Sequence, residues 1–451
     1  MIRFLLALAS VIFISPAFAA EPTWKAGFGK VSITPTRPMW MSGYAARTAP
    51  SDGKETELWA KAAVLQAADG RKLVLVTLDL VGIDRDTAAT ITKRLQTGYA
   101  LPRETIALSV SHTHCGPVVG KNLRSMYFLD DTQAARVDEY TDALPGLVLK
   151  AVAEANAALE PVSLSWGTGT AGFAVNRREN KEADVPTLRE AGKLKGPVDH
   201  AVPVLAARDA RGTLKGVVFG YACHATVLSY QKWCGDYPGF AMIDLEAAHP
   251  GAVALFVAGC GADLNPIPRR TVELAKGYGK QLASAVDLVL GKPMAAVSPT
   301  FAAAYREIDL PLQDVPTREG LIQESTSDNK YIAARAKMWL KRLDAGGEVP
   351  ATYAYPVQAW QLGRDLTLVT LGGEVVVDYG LRLKKELGPN LWVMGYANDV
   401  MAYIPSARVL REGGYEGATS MIYYGLPSIW GPTVEERIVQ EVTRQVRQVR
   451  E

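Results

Sequence analysis

The amino-acid sequence predicts an α/β fold, with layered mixed β-sheets flanked by helices. Apolar runs of strand length form hairpin patterns at three places, and segments of helical periodicity lie between them. The composition, with 48% hydrophobic and 21% charged residues, is that of an ordinary globular protein. Because no repeat or low-complexity linker interrupts the 451 residues, we expect one large domain over residues 21–451.

Residues 1–20 have the pattern of a signal peptide. Arg3 gives a positive start, and the apolar run at 4–14 is too short to span a bilayer. Ala-Phe-Ala at 17–19 is a small-x-small cleavage signature. We therefore expect a periplasmic or secreted protein, with no transmembrane segment once the signal is removed.

The charge balance argues against nucleic-acid binding. The net charge is only +2, and no basic patch is interleaved with aromatic residues. The expected partner is instead a small-molecule or lipid-like substrate. An oxidising compartment permits disulfides among the four cysteines, but spacing does not choose among the three full pairings.

The N-terminal half is predicted to alternate strands with helices. Asp69-Gly70 between two apolar runs is a strong hairpin signal, because Asp-Gly suits the tight turns that join antiparallel strands. The elements expected here are a strand within 24–35, a hairpin of 60–68 with 72–80, a helix at 86–95, a strand at 105–110, a helical segment at 134–158 interrupted near Pro145, and a strand at 161–167.

The C-terminal half continues the same alternation. Its expected elements are a hairpin of 202–207 with 216–221, a helix at 239–248, a strand at 253–257, a helix at 271–290, a strand at 301–312, a mainly helical segment at 319–345, a hairpin of 355–361 with 366–371, a strand at 391–396 and a closing helix at 434–449. Thr433 is expected to cap the closing helix, and Glu435 and Glu436 complement the positive end of its dipole.

The second strand of each hairpin leads into a polar residue with ligand or acid–base chemistry. These residues are Asp79, His224 and Glu374. Buried strands that present polar groups at one sheet edge are typical of α/β enzyme sites. The alternative is that polar residues simply resume where a strand ends.

A histidine pair follows the strand predicted at 105–110. His112 and His114 lie in Ser-His-Thr-His-Cys-Gly-Pro at 111–117, and residues i and i+2 of an extended chain share a face. Two imidazoles on one face suit a metal ligand beside an acid–base group, although a polar strand end is the plainer interpretation.

His112, His224 and Glu374 together make a plausible catalytic zinc set. Such sites commonly use two histidines and one carboxylate and leave a position open for water. The metal then lowers the pKa of that water and polarises a carbonyl. For His224 the alternative is a buried structural histidine.

Two loops could complete such a site. Gly-Cys-Gly-Ala-Asp-Leu-Asn-Pro at 259–266 follows a buried strand and could direct backbone N–H groups at an anionic transition state, or could be an ordinary tight turn. The loop that begins at 395 is rich in aromatic residues, and its alternative is a packed Ω-loop.

Five blocks, in order, resemble the catalytic domain of the neutral/alkaline (non-lysosomal) ceramidases. They are Val-Ser-Ile-Thr-Pro at 31–35 with Met-Ser-Gly-Tyr-Ala at 41–45, the histidine segment at 111–117, Asn176-Arg177, Ala-Cys-His-Ala-Thr at 222–226, and Glu374 followed by Gly-Tyr-Ala-Asn at 395–398, Tyr403 and Tyr-Glu-Gly-Ala-Thr-Ser at 415–420. Together these blocks span nearly the whole mature chain.

The resemblance implies a function and a set of site residues. The family cleaves the amide between a fatty acid and a sphingoid base, so we expect an exported zinc-dependent amidohydrolase of ceramide-like N-acyl substrates. The implied metal ligands are His112, His224, Glu374 and Tyr403. The implied substrate or transition-state contacts are His114, Arg177 and Tyr415, and we also expect Asp263 and Asn265 to act in catalysis. The implied substrate-binding residues are Gly43, Tyr44 and Asn398.

The chain departs from the family at one block. The family's Gly-Asn-Leu-Ser-Pro aligns with 262–266, where Asn265 replaces a serine regarded as catalytic and Asp263 replaces an asparagine. Because an amide cannot act as that nucleophile, we expect metal-activated water to attack, with Asn265 contacting substrate or oxyanion. His114 or Asp263 would serve the leaving group.

The sequence leaves two alternative functions open and also predicts one disulfide. We expect no counterpart of the immunoglobulin-like C-terminal domain typical of ceramidases, and this expectation keeps open a hydrolase of a polar or carbohydrate-linked ester or amide on the same scaffold. A non-catalytic, metal-stabilised binding protein is the other alternative. Because the resemblance places the segments of Cys223 and Cys260 around one pocket, we also expect a disulfide between them.

Overall fold

The computed structural model describes residues 23–451, so the signal peptide expected at 1–20 lies outside the described residues. The α-helices are α1 (Arg85–Tyr99), α2 (Asp131–Ala157), α3 (Val185–Glu190), α4 (Asp236–Ala248), α5 (Val272–Leu290), α6 (Arg318–Glu324), α7 (Lys330–Asp344), α8 (Val377–Leu387), α9 (Ala407–Glu412), α10 (Met421–Tyr424) and α11 (Val434–Arg450). None of these helices is long and apolar enough to cross a membrane.

The strands are mostly short. They are β1 (Trp24–Ser32), β2 (Gly53–Lys54), β3 (Trp59–Gln66), β4 (Lys72–Leu78), β5 (Ile106–Val110), β6 (Glu160–Thr170), β7 (Ala174–Asn176), β8 (Ala201–Arg208), β9 (Leu214–Tyr221), β10 (Lys232–Trp233), β11 (Val253–Ala258), β12 (Leu264–Pro266), β13 (Ala295–Val297), β14 (Phe301–Pro311), β15 (Thr352–Leu362), β16 (Leu366–Leu371), β17 (Glu374–Val375), β18 (Leu391–Met394) and β19 (Tyr403–Ile404).

Two mixed sheets form the centre of the fold. The larger has the order β11-β9-β8-β6-β1-β3-β4-β5, with β13 added on β6, and the smaller has the order β14-β15-β16-β18. The pairs β9–β11, β4–β5 and β16–β18 are parallel, whereas the other neighbours in these sheets are antiparallel. The predicted α/β class is therefore confirmed, and so are the hairpins β3–β4, β8–β9 and β15–β16.

Side chains alternate between two cores, as the period of two along a strand requires. In β3, Ala62 and Val64 pack with residues of the helices that cover the larger sheet, whereas Ala63 and Leu65 join a core shared with Trp392 of the smaller sheet. The outer face of the smaller sheet packs against α8 and α11. The layers thus run helix, sheet, sheet, helix.

Two of three local expectations were wrong. Helix α2 continues through Pro145 without a break. The segment predicted as mainly helical at 319–345 is confirmed, and it consists of two helices because Asn329 caps α7 by accepting hydrogen bonds from the backbone N–H groups of Tyr331 and Ile332. Thr433 provides no side-chain cap for α11, and its hydroxyl instead accepts a hydrogen bond from Arg437.

Two glycines of α5 provide a matched test of the contact between α4 and α5. A Cβ at Gly279 would lie 2.6 Å from the Cβ of Phe240 and 3.0 Å from the backbone nitrogen of Ala241, whereas a Cβ at Gly277 would meet no atom within 4 Å. We expect Gly279→Ala to lower the unfolding free energy by about 1–3 kcal/mol through overpacking. Gly277→Ala should raise it by about 0.5–1 kcal/mol, because alanine favours helix. Urea denaturation measures both, and equal shifts would contradict this packing.

Candidate active site

The histidine pair lies where the chain leaves β5. His112 has φ 60°, in the left-handed region that a non-glycine residue seldom adopts, so the two histidines do not continue an extended strand as the spacing predicted. Their side chains nevertheless converge, with 3.2 Å between the two Nε2 atoms. His112 Nδ1 lies 2.6 Å from the carbonyl of Val81, an arrangement that assigns the proton to Nδ1 and leaves a lone pair on Nε2.

His224 enters the same site from the end of β9. Its Nδ1 lies 2.9 Å from the carbonyl of Gly261, so its Nε2 likewise presents a lone pair to the centre. Burial, and then the nearby positive charge of Arg177, lower the pKa of His224 to about 4. The imidazole is therefore neutral at neutral pH, which is the form that binds metals.

Glu374 completes the cluster from the smaller sheet. Its Oε2 lies 3.1 Å from His112 Nε2 and 3.0 Å from His224 Nε2, while its Oε1 accepts a hydrogen bond from the Tyr424 hydroxyl. Burial alone would raise the pKa of Glu374, and it is positive charge at the position of His112 and His224 that holds this pKa well below the ordinary value. Glu374 is thus a buried carboxylate.

The donor set fits a metal ion. Glu374 Oε2 is buried and has no hydrogen-bond donor, although it faces two nitrogens that each carry a lone pair in the assigned tautomer. Ligands of a tetrahedral zinc ion stand about 3.3 Å apart, close to the spacing found here. The ligand atoms of His112, His114 and His224 also lie within 4.8 Å of one another. A cation among these atoms would turn the unfavourable contacts between the Glu374 Oε2 and the two histidine lone pairs into metal–ligand bonds.

His114 is the third imidazole of the cluster. Burial, and then the neighbouring His112 and His224, place its pKa well below the ordinary value, so it is neutral. Its ring centroid lies 4.7 Å from that of Tyr44, and a Cβ on Gly43 would come within 2.4 Å of its Nδ1. Gly43 and Tyr44 therefore determine the space available to this side chain.

Tyr403, Arg177 and Asn265 form the adjoining wall. The Tyr403 hydroxyl lies 3.3 Å from His224 Nε2 and accepts a hydrogen bond from Arg177 Nη2 at 3.2 Å. Arg177 Nη1 donates to Asn265 Oδ1 at 3.3 Å. The ring of Tyr415 lies 5.2 Å from that of Tyr403 and remains 41% exposed. Burial raises the pKa of Tyr403 well above its ordinary value, so its phenol is protonated in the absence of a cation.

A cavity of about 670 Å³ opens onto this cluster. The structure brings most of the predicted site residues to its walls, while His112 and Glu374 lie buried beneath. The predicted residues that line it are Gly43, Tyr44, His114, Arg177, His224, Asn265, Tyr403 and Tyr415.

Two predicted site residues do not reach the cavity. Asp263 is fully buried, and its carboxylate accepts hydrogen bonds from the Val377 N–H at the start of α8 and from the Asn176 amide. Asn398 is also buried, and its side chain bonds to the backbone of β5 and to Gln358 and Thr370. Their polar atoms join elements of the fold, and the structure does not bring either side chain to the cavity.

The expected disulfide is also absent from the described part of the chain. Cys223 and Cys260 are free and buried, and they pack in different cores. The third strand-end residue, Asp79, is buried too and accepts a hydrogen bond from the Trp59 N–H at 2.9 Å, so it links β3 and β4.

Two residues next to the site were not identified from the sequence. Glu416 is 5% exposed and accepts hydrogen bonds from Arg177 Nε at 2.7 Å and Arg178 Nη1 at 2.6 Å. Tyr424 donates to Glu374. Glu416 stands next to Tyr415 in a block already singled out, but its role depends on a partner far along the chain, and no pattern marks Tyr424.

The fold and cluster define an α/β protein with a buried histidine–carboxylate site of the kind that holds a catalytic metal. Residues 24–263 match the family described as neutral/alkaline non-lysosomal ceramidase, N-terminal, and the chain belongs to that family. The predicted resemblance is therefore confirmed. The matched residues contain the histidine pair, Arg177, His224 and Asn176.

Two plant proteins are similar in sequence. Neutral ceramidase 1 of Arabidopsis thaliana is 26% identical over 300 residues, which are 63% of this chain and 38% of that protein. Neutral ceramidase 2 of the same plant is 26% identical over 207 residues, which are 45% of this chain and 27% of the relative. The match thus spans well under half the length of these relatives.

Two solved structures share the fold. The crystal structure of neutral ceramidase from Pseudomonas aeruginosa has a TM-score of 0.71 and 21% identity, covering 95% of this chain and 75% of that one. A ceramidase complexed with C2 has a TM-score of 0.72 and 19% identity, covering 95% and 76%.

Glu416 offers a test of the wall beside the cluster. Glu416→Ala leaves the Arg177 and Arg178 guanidiniums without their shared carboxylate, and we expect a loss of about 3–5 kcal/mol in unfolding free energy. The control is Glu436→Ala, which breaks an exposed pair with Arg382 and should cost below about 1 kcal/mol. Equal losses in chemical denaturation would contradict the bridging role of Glu416.

Proposed function

We propose that this protein is a zinc-dependent hydrolase that cleaves the amide bond of an N-acyl substrate. The observation that carries the proposal is the unpartnered Glu374 Oε2, which faces the Nε2 atoms of His112 and His224 at the bottom of an open cavity. Membership of the ceramidase family supports the amide as the bond that is cut.

The proposed metal ligands are His112, His224, Glu374 and Tyr403. Histidine nitrogens and a carboxylate are preferred zinc ligands, and the carbonyls of Val81 and Gly261 hold both imidazoles in the ligating tautomer. His114 is the competing fourth ligand, because its Nε2 lies 3.2 Å from that of His112. When bound, the ion would polarise a carbonyl and make a water molecule more acidic.

The residues around the cluster suit the remaining steps of hydrolysis. The guanidinium of Arg177 and the hydroxyl of Tyr403 can donate hydrogen bonds to the oxyanion that develops when water adds to the amide carbonyl. The neutral His114 can take a proton from the attacking water and pass it to the leaving nitrogen. Tyr415 stands at the mouth, where it can contact the bound substrate.

Asn265 fits the role of a substrate contact. Its Oδ1 accepts a hydrogen bond from Arg177, so its amide nitrogen is the atom that can donate to a substrate oxygen. An attack by water requires no nucleophilic side chain at this position. We also propose that the protein is exported to the periplasm or beyond, on the pattern of its first 20 residues.

The metal site is tested by zinc analysis of the purified protein. We expect His112→Ala with His224→Ala, and separately Glu374→Gln, to lose zinc and the hydrolysis of N-acyl substrates with it. His249→Ala is the control, because His249 pairs with Asp287 away from the cluster. Zinc retained at wild-type stoichiometry in the double variant would contradict the ligand set. If His114→Ala loses zinc and Tyr403→Phe retains it, the fourth ligand is His114 and not Tyr403.

Substitutions at Asn265 test the water nucleophile. Asn265→Ala should keep measurable turnover, with kcat reduced about 10²–10³-fold as for a lost oxyanion donor, whereas Glu374→Ala should abolish turnover. Asn265→Ser should not by itself give efficient ceramide cleavage, since the other lining residues are unchanged. Full ceramidase activity from that single change would show that a serine nucleophile operates instead.

A further inference from the structure

Most side chains that line the cavity are charged or carry a polar group, and they offer an alkyl chain few aliphatic partners. Among the described residues that line it, Ile267 is the one aliphatic side chain larger than a methyl group. A methylene group gains free energy only when it leaves water for apolar surroundings. A long acyl or sphingoid chain would therefore gain little inside this cavity.

Most charges of the cavity are paired, and its four cationic side chains are matched in number by four carboxylates, so the wall does not select a charged ligand. Ion pairs join Arg177 to Glu416, Arg178 to Glu412 and Arg269 to Glu182, at 2.7, 2.9 and 2.7 Å. The wall consequently offers many donors and acceptors with little net charge. Such a surface suits a neutral ligand that carries several hydroxyl groups.

Aromatic rings lead outward from the cluster. The ring centroids of Tyr403 and Tyr415 are 5.2 Å apart, those of Tyr415 and Tyr423 are 6.2 Å apart, and those of Tyr423 and Tyr331 are 5.0 Å apart. Phe128, which is 50% exposed, follows at 5.7 Å from Tyr331. Tyr331 also donates a hydrogen bond to the carbonyl of Ala45, which follows Tyr44 of the cavity lining. We call these five rings the aromatic track.

The aromatic track is assembled from separate elements. Tyr403 lies in β19, Tyr415 in a π-helical turn at Tyr415–Thr419, Tyr423 in α10 and Tyr331 in α7. Four of its rings carry a hydroxyl, and the Lys330 ammonium lies 4.8 Å from the Phe128 centroid. Rings with polar tips stack on the apolar faces of a ligand and hydrogen-bond to its rim.

We propose, on the basis of the proposed amide hydrolysis, that the substrate is an N-acylated amino sugar within a glycan. Its short acyl group and sugar ring occupy the polar cavity, and the following sugar rings lie along the aromatic track. Water adds to the acyl carbonyl, the C–N bond breaks, and the nitrogen takes up a proton. The products are a short carboxylate and the free amino sugar, and no redox partner is required.

The experiment compares three substrates with the zinc-loaded protein, and a fourth compound tests chain length. The three are N-palmitoylsphingosine, N-acetylsphingosine and the pentamer of N-acetylglucosamine, the fourth is the N-acetylglucosamine monomer, and fatty acid or acetate release is the readout. We expect the glycan to have the highest kcat/KM, and the pentamer to be preferred to the monomer. Preference for N-palmitoylsphingosine would overturn the glycan inference while leaving amide hydrolysis in place. Metal-dependent release from none of the three would instead count against the proposed function.

A binding measurement tests the glycan inference even if no hydrolysis is detected. Calorimetric titration with cellopentaose, a glycan that lacks the amide, should show binding that Phe128→Ala and Tyr331→Ala each weaken about 3- to 10-fold. Leu288→Ala is the control, because it removes an exposed apolar side chain of α5 outside the aromatic track. No binding of cellopentaose or of the N-acetylglucosamine pentamer, or equal weakening by all three variants, would overturn the glycan inference.

Discussion

A buried negative charge on Glu374 constrains the rest of the site. The carboxylate stands at the end of the central hairpin of the smaller sheet, and the histidines that face it come from two strand ends of the larger sheet. Taking a carboxylate out of water is costly unless it is paired or binds a metal. The protein directs a tyrosine hydroxyl at one oxygen and leaves the other to the histidine lone pairs, which is an arrangement suited to a cation.

The loops around the cluster are fixed by hydrogen bonds between distant parts of the chain. The backbone N–H of His224 donates to the carbonyl of Leu264, that of His114 to Ala225, and that of Arg177 to Asp263. Asp263 and Asn398, which do not contact the cavity, satisfy buried N–H groups behind it. Polar residues near an active site therefore divide into those that face the ligand and those that hold the loops in place.

The ion pairs beside the cavity stabilise the fold and also shape the surface that a ligand would contact. Glu416 holds the guanidinium of Arg177, which in turn contacts both Tyr403 and Asn265. Because these charges neutralise one another, the wall is rich in hydrogen-bonding groups without a strong field. The side chains of this wall therefore determine which ligands fit the cavity.

The sequence by itself determined the α/β class, the three hairpins and the family, because hydrophobic periodicity, turn residues and ordered motifs are local properties. It also identified His112, His224 and Glu374 as candidates, since each follows a buried strand. Only the tertiary structure decided that Asp263, Asn398 and Asp79 are internal links, that Cys223 and Cys260 are not bonded to each other, and that Glu416 and Tyr424 support the cluster. These outcomes depend on contacts between residues tens to hundreds of positions apart, and such contacts leave no periodic signal in the chain.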